Sequence, residues 1–335
     1  MNVINLPLVS IIIVNYNGLR FLKDCFDSLK KITYPNYEII FVDNASFDKS
    51  VDFVSANYPF VRIVNNQNNL GFCIANNEAS HLAKGEYLFF LNNDTKVDSQ
   101  VVTMLVEQME RDNSTGICGC KIMSYDGSAY FHTGLGIDIF GYPIANYKVF
   151  YVEGSSLMIK KALFHQLGGF DEKYFFFHED IDLAWRVWLA GFKVTALPEA
   201  IIYHVYSGTA GGKAIKKGGY STTYFRRYLS ERNNIRTLLK NYSLKSLAVV
   251  IPLYLILNLG EILLFLVNLR FKAIFCYLRA YYWNIVNLGD TISKRRKVQN
   301  FRKVEDGVIR EMMYNGSAKI AIFKKTGIPK FNFNN

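Results

Sequence analysis

The chain has no glycine-rich phosphate loop after its first apolar run. Neither G-x-G-x-x-G nor a P-loop follows residues 9–14, where Asn15-Tyr16-Asn17-Gly18 stands instead. That weighs against an ordinary dinucleotide enzyme or nucleoside triphosphatase. It weighs equally against a nucleotidyltransferase acting on sugar phosphates, which wants a glycine- and lysine-rich loop at this point. Cysteine is scarce and odd in number, five in 335 residues. Cys118 and Cys120 have no second pair with which to close a four-ligand zinc site, so the thiols are expected reduced and buried. The N-terminus lacks a basic stretch, a short apolar core and a cleavage site. No secretory leader is expected, and the catalytic part is expected to face the cytoplasm. Internal repeats and low-complexity segments are also missing.

Half of the residues are apolar, a fifth are charged, and the net charge is +11. The composition is that of a globular protein with an anionic partner: nucleic acid, nucleotide phosphates or an acidic membrane face. Apolar strands at residues 9–14, 38–43, 61–64 and 87–91 alternate with helical patterns, which predicts an α/β fold with a mainly parallel sheet flanked by helices. From about residue 115 the pattern shortens. Strands are expected at 116–123, 134–139 and 151–159, and a helix at 161–167 ends at Gly168-Gly169. A later helix opens at Glu179-Asp180, pairs Asp182 with Arg186 and stops at Gly191.

The last third changes character. Residues 247–269 match a membrane span in length, yet Pro252, Asn258, Glu261 and Asn268 interrupt them, and 273–288 form a second apolar-aromatic stretch. Lys245, Arg270, Lys272 and Lys294-Arg295-Arg296-Lys297 flank the two stretches. A single crossing would leave positive charge on both sides, whereas a hairpin or in-plane helices keep it on one anionic membrane surface. A helical subdomain packed on the enzyme, or a homodimer contact, is the alternative. The basic groups adjoin apolar helices rather than alternating with exposed sheet aromatics, so no nucleic acid partner is expected. The expected division is a catalytic domain over residues 1–240 and a helical, basic, membrane-associated region over 241–335.

Two motifs carry chemistry. Leu91-Asn92-Asn93-Asp94-Thr95 puts a carboxylate and two amides after a strand, where open α/β sheets hold ligands. His178-Glu179-Asp180-Ile181-Asp182-Leu183 puts acids at a helix start behind Tyr174-Phe175-Phe176-Phe177. A metal-held leaving group and a separate general base require such a division, which suggests sugar transfer from a nucleotide-sugar.

With Val9-Ser10-Ile11-Ile12-Ile13-Val14-Asn15-Tyr16-Asn17-Gly18, Val42-Asp43-Asn44-Ala45-Ser46, Asn69-Leu70-Gly71-Phe72, Asn76-Asn77, Glu153-Gly154-Ser155 and Gly168-Gly169-Phe170-Asp171-Glu172, these motifs stand in one order over residues 8–235. The set resembles glycosyltransferase family 2, the inverting enzymes of GT-A fold, and within it the rhamnosyltransferase-like branch of bacterial surface-polysaccharide enzymes. The resemblance implies a UDP- or dTDP-sugar donor and a glycan or lipid-linked glycan acceptor at the cytoplasmic face of the cell membrane.

It also implies roles. Asp43 would accept the base imide N–H, Tyr16 would stack on the base with Val14, Asn15 and Asn17 nearby, and Gly71 and Asn77 would shape the nucleotide loop. Asn92-Asn93-Asp94 occupies the family's aspartate-x-aspartate position with its first acid replaced by an amide. Asp94 and His204 would hold Mg²⁺ or Mn²⁺, Asp180 would be the base, and Glu179 a sugar or acceptor ligand that could exchange roles with it. On the residues alone, Asp43 also suits a turn cap, Tyr16 a core aromatic, Gly71 and Asn77 a turn and cap, and His204 a structural histidine. Lys213, Lys216 and Lys217 in the loop 208–219 suit either diphosphate closure or a solvated linker.

Overall fold

The computed structural model describes residues 6–205 and 221–332. The lysine- and glycine-rich loop 208–219 lies outside the described residues. The chain divides into two compact units. The first holds residues up to 135, 151–187 and 192–209; the second holds 136–150, 188–191 and 210 onward.

In the first unit the strands are β1 (Val9–Asn15), β2 (Tyr37–Asp43), β3 (Arg62–Asn65), β4 (Tyr87–Asn92), β5 (Thr95–Val97), β6 (Thr115–Ser124) and β7 (Tyr130–Thr133). After a short hairpin of β8 (Gly136–Ile137) and β9 (Pro143–Ile144), which belongs to the second unit, come β10 (Ser156–Lys160) and β11 (Lys193–His204). The sheet runs β3-β2-β1-β4-β10-β6-β11-β5, with β7 on β6. Its first four strands are parallel, and β10 enters antiparallel to both neighbours.

Helices α1 (Leu19–Leu29), α2 (Ser50–Asn57), α3 (Gly71–Leu82), α4 (Val101–Arg111), α5 (Lys161–Gln166) and α6 (Glu179–Leu189) connect the strands. The expected α/β architecture is present because Ile11, Ile13, Phe41, Phe89 and Leu91 are buried together with Leu22, Phe26 and Leu105 of the helices. A strand covered on both faces reads as a continuous apolar run.

The expected strands at 134–139 and 151–159 are shorter than their apolar patterns: Gly136–Ile137 and Ser156–Lys160 form strands, while Leu135 and Tyr151 meet only in an isolated antiparallel bridge. Apolar residues there are buried as loop instead. Helix α4 and the short strand β5 lie beyond the expected elements; the paired apolar positions Val101, Val102, Leu105, Val106 and Met109 of α4 do face the core.

The second unit contains α7 (Tyr224–Asn241), α8 (Leu244–Val267), α9 (Phe271–Val286), α10 (Leu288–Phe301), α11 (Asp306–Glu311) and α12 (Ala318–Thr326). A small parallel ribbon pairs β12 (Ser221–Thr223) with β13 (Lys330–Asn332). Both apolar stretches of the last third are helical, as expected, with Pro252 accommodated inside α8.

Candidate active site

Parallel register brings the C-terminal ends of β1, β2 and β4 level. Asn15 stands opposite Asp43, and Val14 opposite Asn92. The amides then lock together: Asn93 Nδ2 donates to Asn15 Oδ1 at 2.6 Å, and Asn15 Nδ2 donates to Asp43 Oδ1 at 2.9 Å and Ser46 Oγ at 3.1 Å. Asp43 Oδ2 accepts from the Ser46 N–H at 2.8 Å, so the acid caps its turn as well as closing the sheet edge. Asn17, at φ 51°, donates its N–H to Ser46 Oγ and accepts from the Phe47 N–H. Gly18 admits this network because a Cβ there would stand 2.1 Å from Asn93 Nδ2.

Tyr16 is 42% exposed and not a core aromatic. Its ring meets that of Phe47, 81% exposed, edge to face at 6.5 Å. Two uncovered rings thus stand beside a buried carboxylate, a surface suited to a planar base. Phe47 is a residue that sequence pattern gave no reason to choose.

Gly71 and Asn77 both serve the backbone around the start of α3. Gly71 has φ +78°, and a Cβ on it would strike the Phe175 ring at 2.4 Å. Its carbonyl accepts from Asn44 Nδ2 at 3.1 Å, tying the turn after β2 to the start of α3. Asn77 is held by backbone: its Nδ2 donates to the Phe170 carbonyl at 2.8 Å and its Oδ1 accepts from the Phe170 N–H at 2.9 Å. Both ends of the amide clamp backbone far along the chain.

On the other side of β4, Asp94 Oδ1 lies 3.0 Å from His204 Nε2, and Asn92 Nδ2 lies 3.5 Å from the same nitrogen. Pairing of β11 with β5 sets this distance by placing His204 opposite Thr95. Burial would lower the His204 pKa, but the hydrogen bond and charge of Asp94, helped by Glu153, turn the shift upward. Adjacent ligands on an octahedral Mg²⁺- or Mn²⁺-sized ion with bonds of about 2.1 Å stand about 3 Å apart. The observed separation therefore fits two corners of such a shell. Among the described residues no group of three His, Cys, Asp or Glu forms a closed metal site, so Asp94 and His204 would be a partial ligand set open to further oxygen donors.

The acids opening α6 follow a strained approach. Phe175, Phe177 and His178 have φ of 66°, 69° and 66°, a region that costs non-glycine residues about 1–3 kcal/mol each. The start of α3 holds the segment, since the N–H groups of Phe72 and Cys73 donate to the Phe175 carbonyl at 2.8 and 3.3 Å. Asp182 is fully buried against Arg186 at 2.9 Å, and Arg186 also donates to the Leu167 carbonyl, so this pair is structural. Trp185 is fully buried and packs rather than presenting a face to a sugar.

Among the described residues no cation pairs with Glu179 or Asp180 in this way. Asp180 accepts from the Ile181 N–H at 2.8 Å and, more loosely, the Gly154 N–H at 3.4 Å. Burial, then the charge of Glu153, pushes its pKa up to about 7. Burial and the charge of Asp180 hold Glu179 well above the usual carboxylate range. One acid is thus kept protonated while its neighbour titrates near neutrality. Glu153, 3.4 Å from His132 Nε2, belongs to this group; neither was assigned a role from sequence, and only the acid's place in Glu153-Gly154-Ser155 hinted at one.

The same segment joins the two halves of the site. Asn92, two residues before Asp94, donates its N–H to the Ser155 carbonyl at 3.2 Å, while the neighbouring Gly154 N–H faces Asp180. The charge of Glu153 acts on both His204 and Asp180. Asp94 and Asp180 therefore flank a single stretch of three residues.

Residues 10–168 match the model of glycosyl transferase family 2, and residues 132–207 that of the N-terminal domain of galactosyltransferase. The O-antigen biosynthesis protein RfbC of Myxococcus xanthus is 26% identical over 68% of this chain and 20% of its own length. N-acetylglucosaminyl-diphospho-decaprenol L-rhamnosyltransferase of Mycobacterium tuberculosis is 25% identical over 62% of this chain and 78% of its own. A structure of GalNAc-T7 with UDP, GalNAc and Mn²⁺ superposes with a TM-score of 0.58 at 18% identity, covering 71% of this chain and 48% of that one. At that identity the likeness establishes the GT-A fold. The chain spans about a fifth to a half of the length of the first three curated relatives it matches.

Proposed function

We propose that this chain, whose residues 10–168 form a glycosyl transferase family 2 domain, moves a sugar with inversion from a UDP- or dTDP-sugar, dTDP-rhamnose among the candidates. The acceptor is a hydroxyl of a glycan or lipid-linked glycan in surface-polysaccharide synthesis, reached at the cytoplasmic face of the cell membrane. The supporting arrangement is the one segment, Glu153–Gly154–Ser155, that has Asp94 and His204 on one side and Asp180 on the other.

In this reading the base lies against Tyr16 and Phe47 with its imide N–H on Asp43, and the diphosphate lies toward Asp94 and His204. A divalent cation held by those two residues would neutralise charge on the leaving diphosphate. Asp180 takes the proton from the acceptor hydroxyl as its oxygen attacks the anomeric carbon from the face opposite the diphosphate. The bond from that carbon to the diphosphate oxygen breaks in the same step. Glu179, protonated, donates a hydrogen bond to the sugar or acceptor.

The direct test is a panel of nucleotide-sugars scored by protection against thermal unfolding, with and without Mn²⁺. Protection by one UDP- or dTDP-sugar, deepened by Mn²⁺, is expected. No protection by any uridine or thymidine compound refutes the donor assignment. Calorimetry with UDP and dTDP on Asp43→Ala then checks the base contact, with a weakening of about tenfold expected from the loss of a charged hydrogen bond.

A further inference from the structure

The second unit is inverted in polarity. Helix α7 runs through its interior with Arg227, Glu231, Arg232, Asn234, Arg236 and Lys240 buried, whereas α8 and α9 turn Ile256, Leu259, Leu263, Phe275, Leu278 and Ile285 outward. Soluble proteins rarely expose an apolar face of that kind without a partner for it. The inner side of α8 is tied down by charge: Glu261 lies 3.3 Å from Arg227 and 2.9 Å from Lys319, and Asn258 accepts from Lys319 at 2.9 Å. Tyr277 of α9 also donates to Glu261, at 2.6 Å.

We infer that α8 and α9 lie flat in one leaflet of an anionic bilayer, with the outward face named above among the acyl chains and the polar network held in the protein. This extends the localisation in the proposed function but is carried by the second unit alone.

Three observations select this occupant. Helix α8 is long and apolar enough to cross a membrane, but crossing would draw the Glu261–Lys319–Arg227 network into the hydrocarbon, where charges are costly. Exposed Lys245 stands at one end of α8, and Arg270 and Lys272 stand past the other. A crossing would strand one cationic end on the far side, while a helix in the plane leaves both at the anionic headgroups. A second copy of the chain, at net charge +11, would bring like-charged rims together instead of meeting complementary charge.

The test uses the full chain and does not depend on transfer activity. Flotation with phosphatidylcholine vesicles, with or without about 30 mol% phosphatidylglycerol, should give binding to the anionic vesicles that weakens with added salt. Ile256→Glu with Leu259→Glu, both at exposed positions, should reduce binding about tenfold or more with an unchanged circular dichroism spectrum. Arg296→Ala with Lys297→Ala should cost about fivefold per charge on anionic vesicles and nothing on neutral ones.

The native thiols are all buried, so a fluorophore on Ile256→Cys, exposed at the middle of α8, reports on depth by itself. Quenching by lipids labelled near the headgroup is expected. Quenching strongest at the bilayer centre would mean that α8 spans and would overturn the inference. Failure to float, together with a dimer that the two glutamates dissociate, would assign the face to a second copy and overturn it equally.

Discussion

Each unit buries a pair of carboxylates, and the two pairs are treated in opposite ways. In the second unit Glu231 and Glu261 face Arg227 and Lys319 at 2.8–3.3 Å, two anions against two cations, with Tyr142 and Tyr254 donating to Glu231 Oε2 and Tyr277 to Glu261 Oε2. Burial alone would raise the Glu231 pKa, but Lys319 and Arg227 bring it below the usual range. In the first unit Glu179 and Asp180 receive no described cation, only backbone N–H groups and a third acid nearby, and both are driven upward. A neutralised pair fixes helices to one another. A pair left without countercharge holds a proton at neutral pH that a reaction can use.

Replacement by the amide should separate the pairs most sharply. Asp180→Asn is expected to lower transfer about 10³-fold, within the range for a positioned base, with donor binding by calorimetry unchanged. Its effect on stability should be favourable. The folded protein binds the Asp180 proton more tightly than the unfolded chain, whose pKa is near 3.8 against about 7 here. Stability is therefore lost as pH rises from about 4 through about 7. Asn cannot ionise, so the variant should melt higher than the parent at pH 8 and no higher at pH 4. Glu231→Gln should do the reverse, costing about 3–5 kcal/mol because Arg227 and Lys319 are left in excess in the interior. Loss of stability in both variants would erase the distinction, and unchanged turnover in Asp180→Asn would remove the base.

A smaller effect sharpens the same contrast inside the first unit. If Asp180 is the base, kcat/KM should rise through an acid limb near pH 7, since only the carboxylate accepts the acceptor proton. Glu153→Gln removes a charge that helps hold that limb up, so the limb should move to lower pH. The donor affinity should stay level. A limb that does not move, with turnover lowered at every pH, would make Glu153 a structural residue.

The parallel half of the fold was legible because buried strands and amphipathic helices alternate, and periodicity alone reports that. Helix α4 shows the limit: its buried positions are plain once its place against β6 and β11 is known, but little in the sequence marks its start, and no side chain caps it. The acids at 94 and 180 were legible through ordered motifs. Their union through Glu153–Gly154–Ser155 was not, because it depends on β10 entering antiparallel beside β4, a fact of topology rather than of pattern. Asn77 shows the same limit from the other side. A motif position can be kept by a backbone clamp as well as by a ligand, and only the bonds to Phe170 tell the two apart.

The smallest expected effect concerns Phe47, whose ring is 81% exposed beside Tyr16 at the edge where the base is proposed to lie. A ring packed for the fold would lose stability on truncation, whereas a ring waiting for a base loses almost none, since little of its surface leaves water on folding. Phe47→Ala should therefore raise donor KM about threefold to tenfold, the worth of one aromatic contact, while kcat and melting temperature stay level. Tyr16→Ala, less exposed and in edge-to-face contact with Phe47, should raise KM similarly, and the double variant should fall short of the product, because each ring orients the other. Additive losses would mean the rings act independently. A fall in melting temperature with KM unchanged would return both residues to the fold and leave Asp43 as the remaining assigned contact to the base.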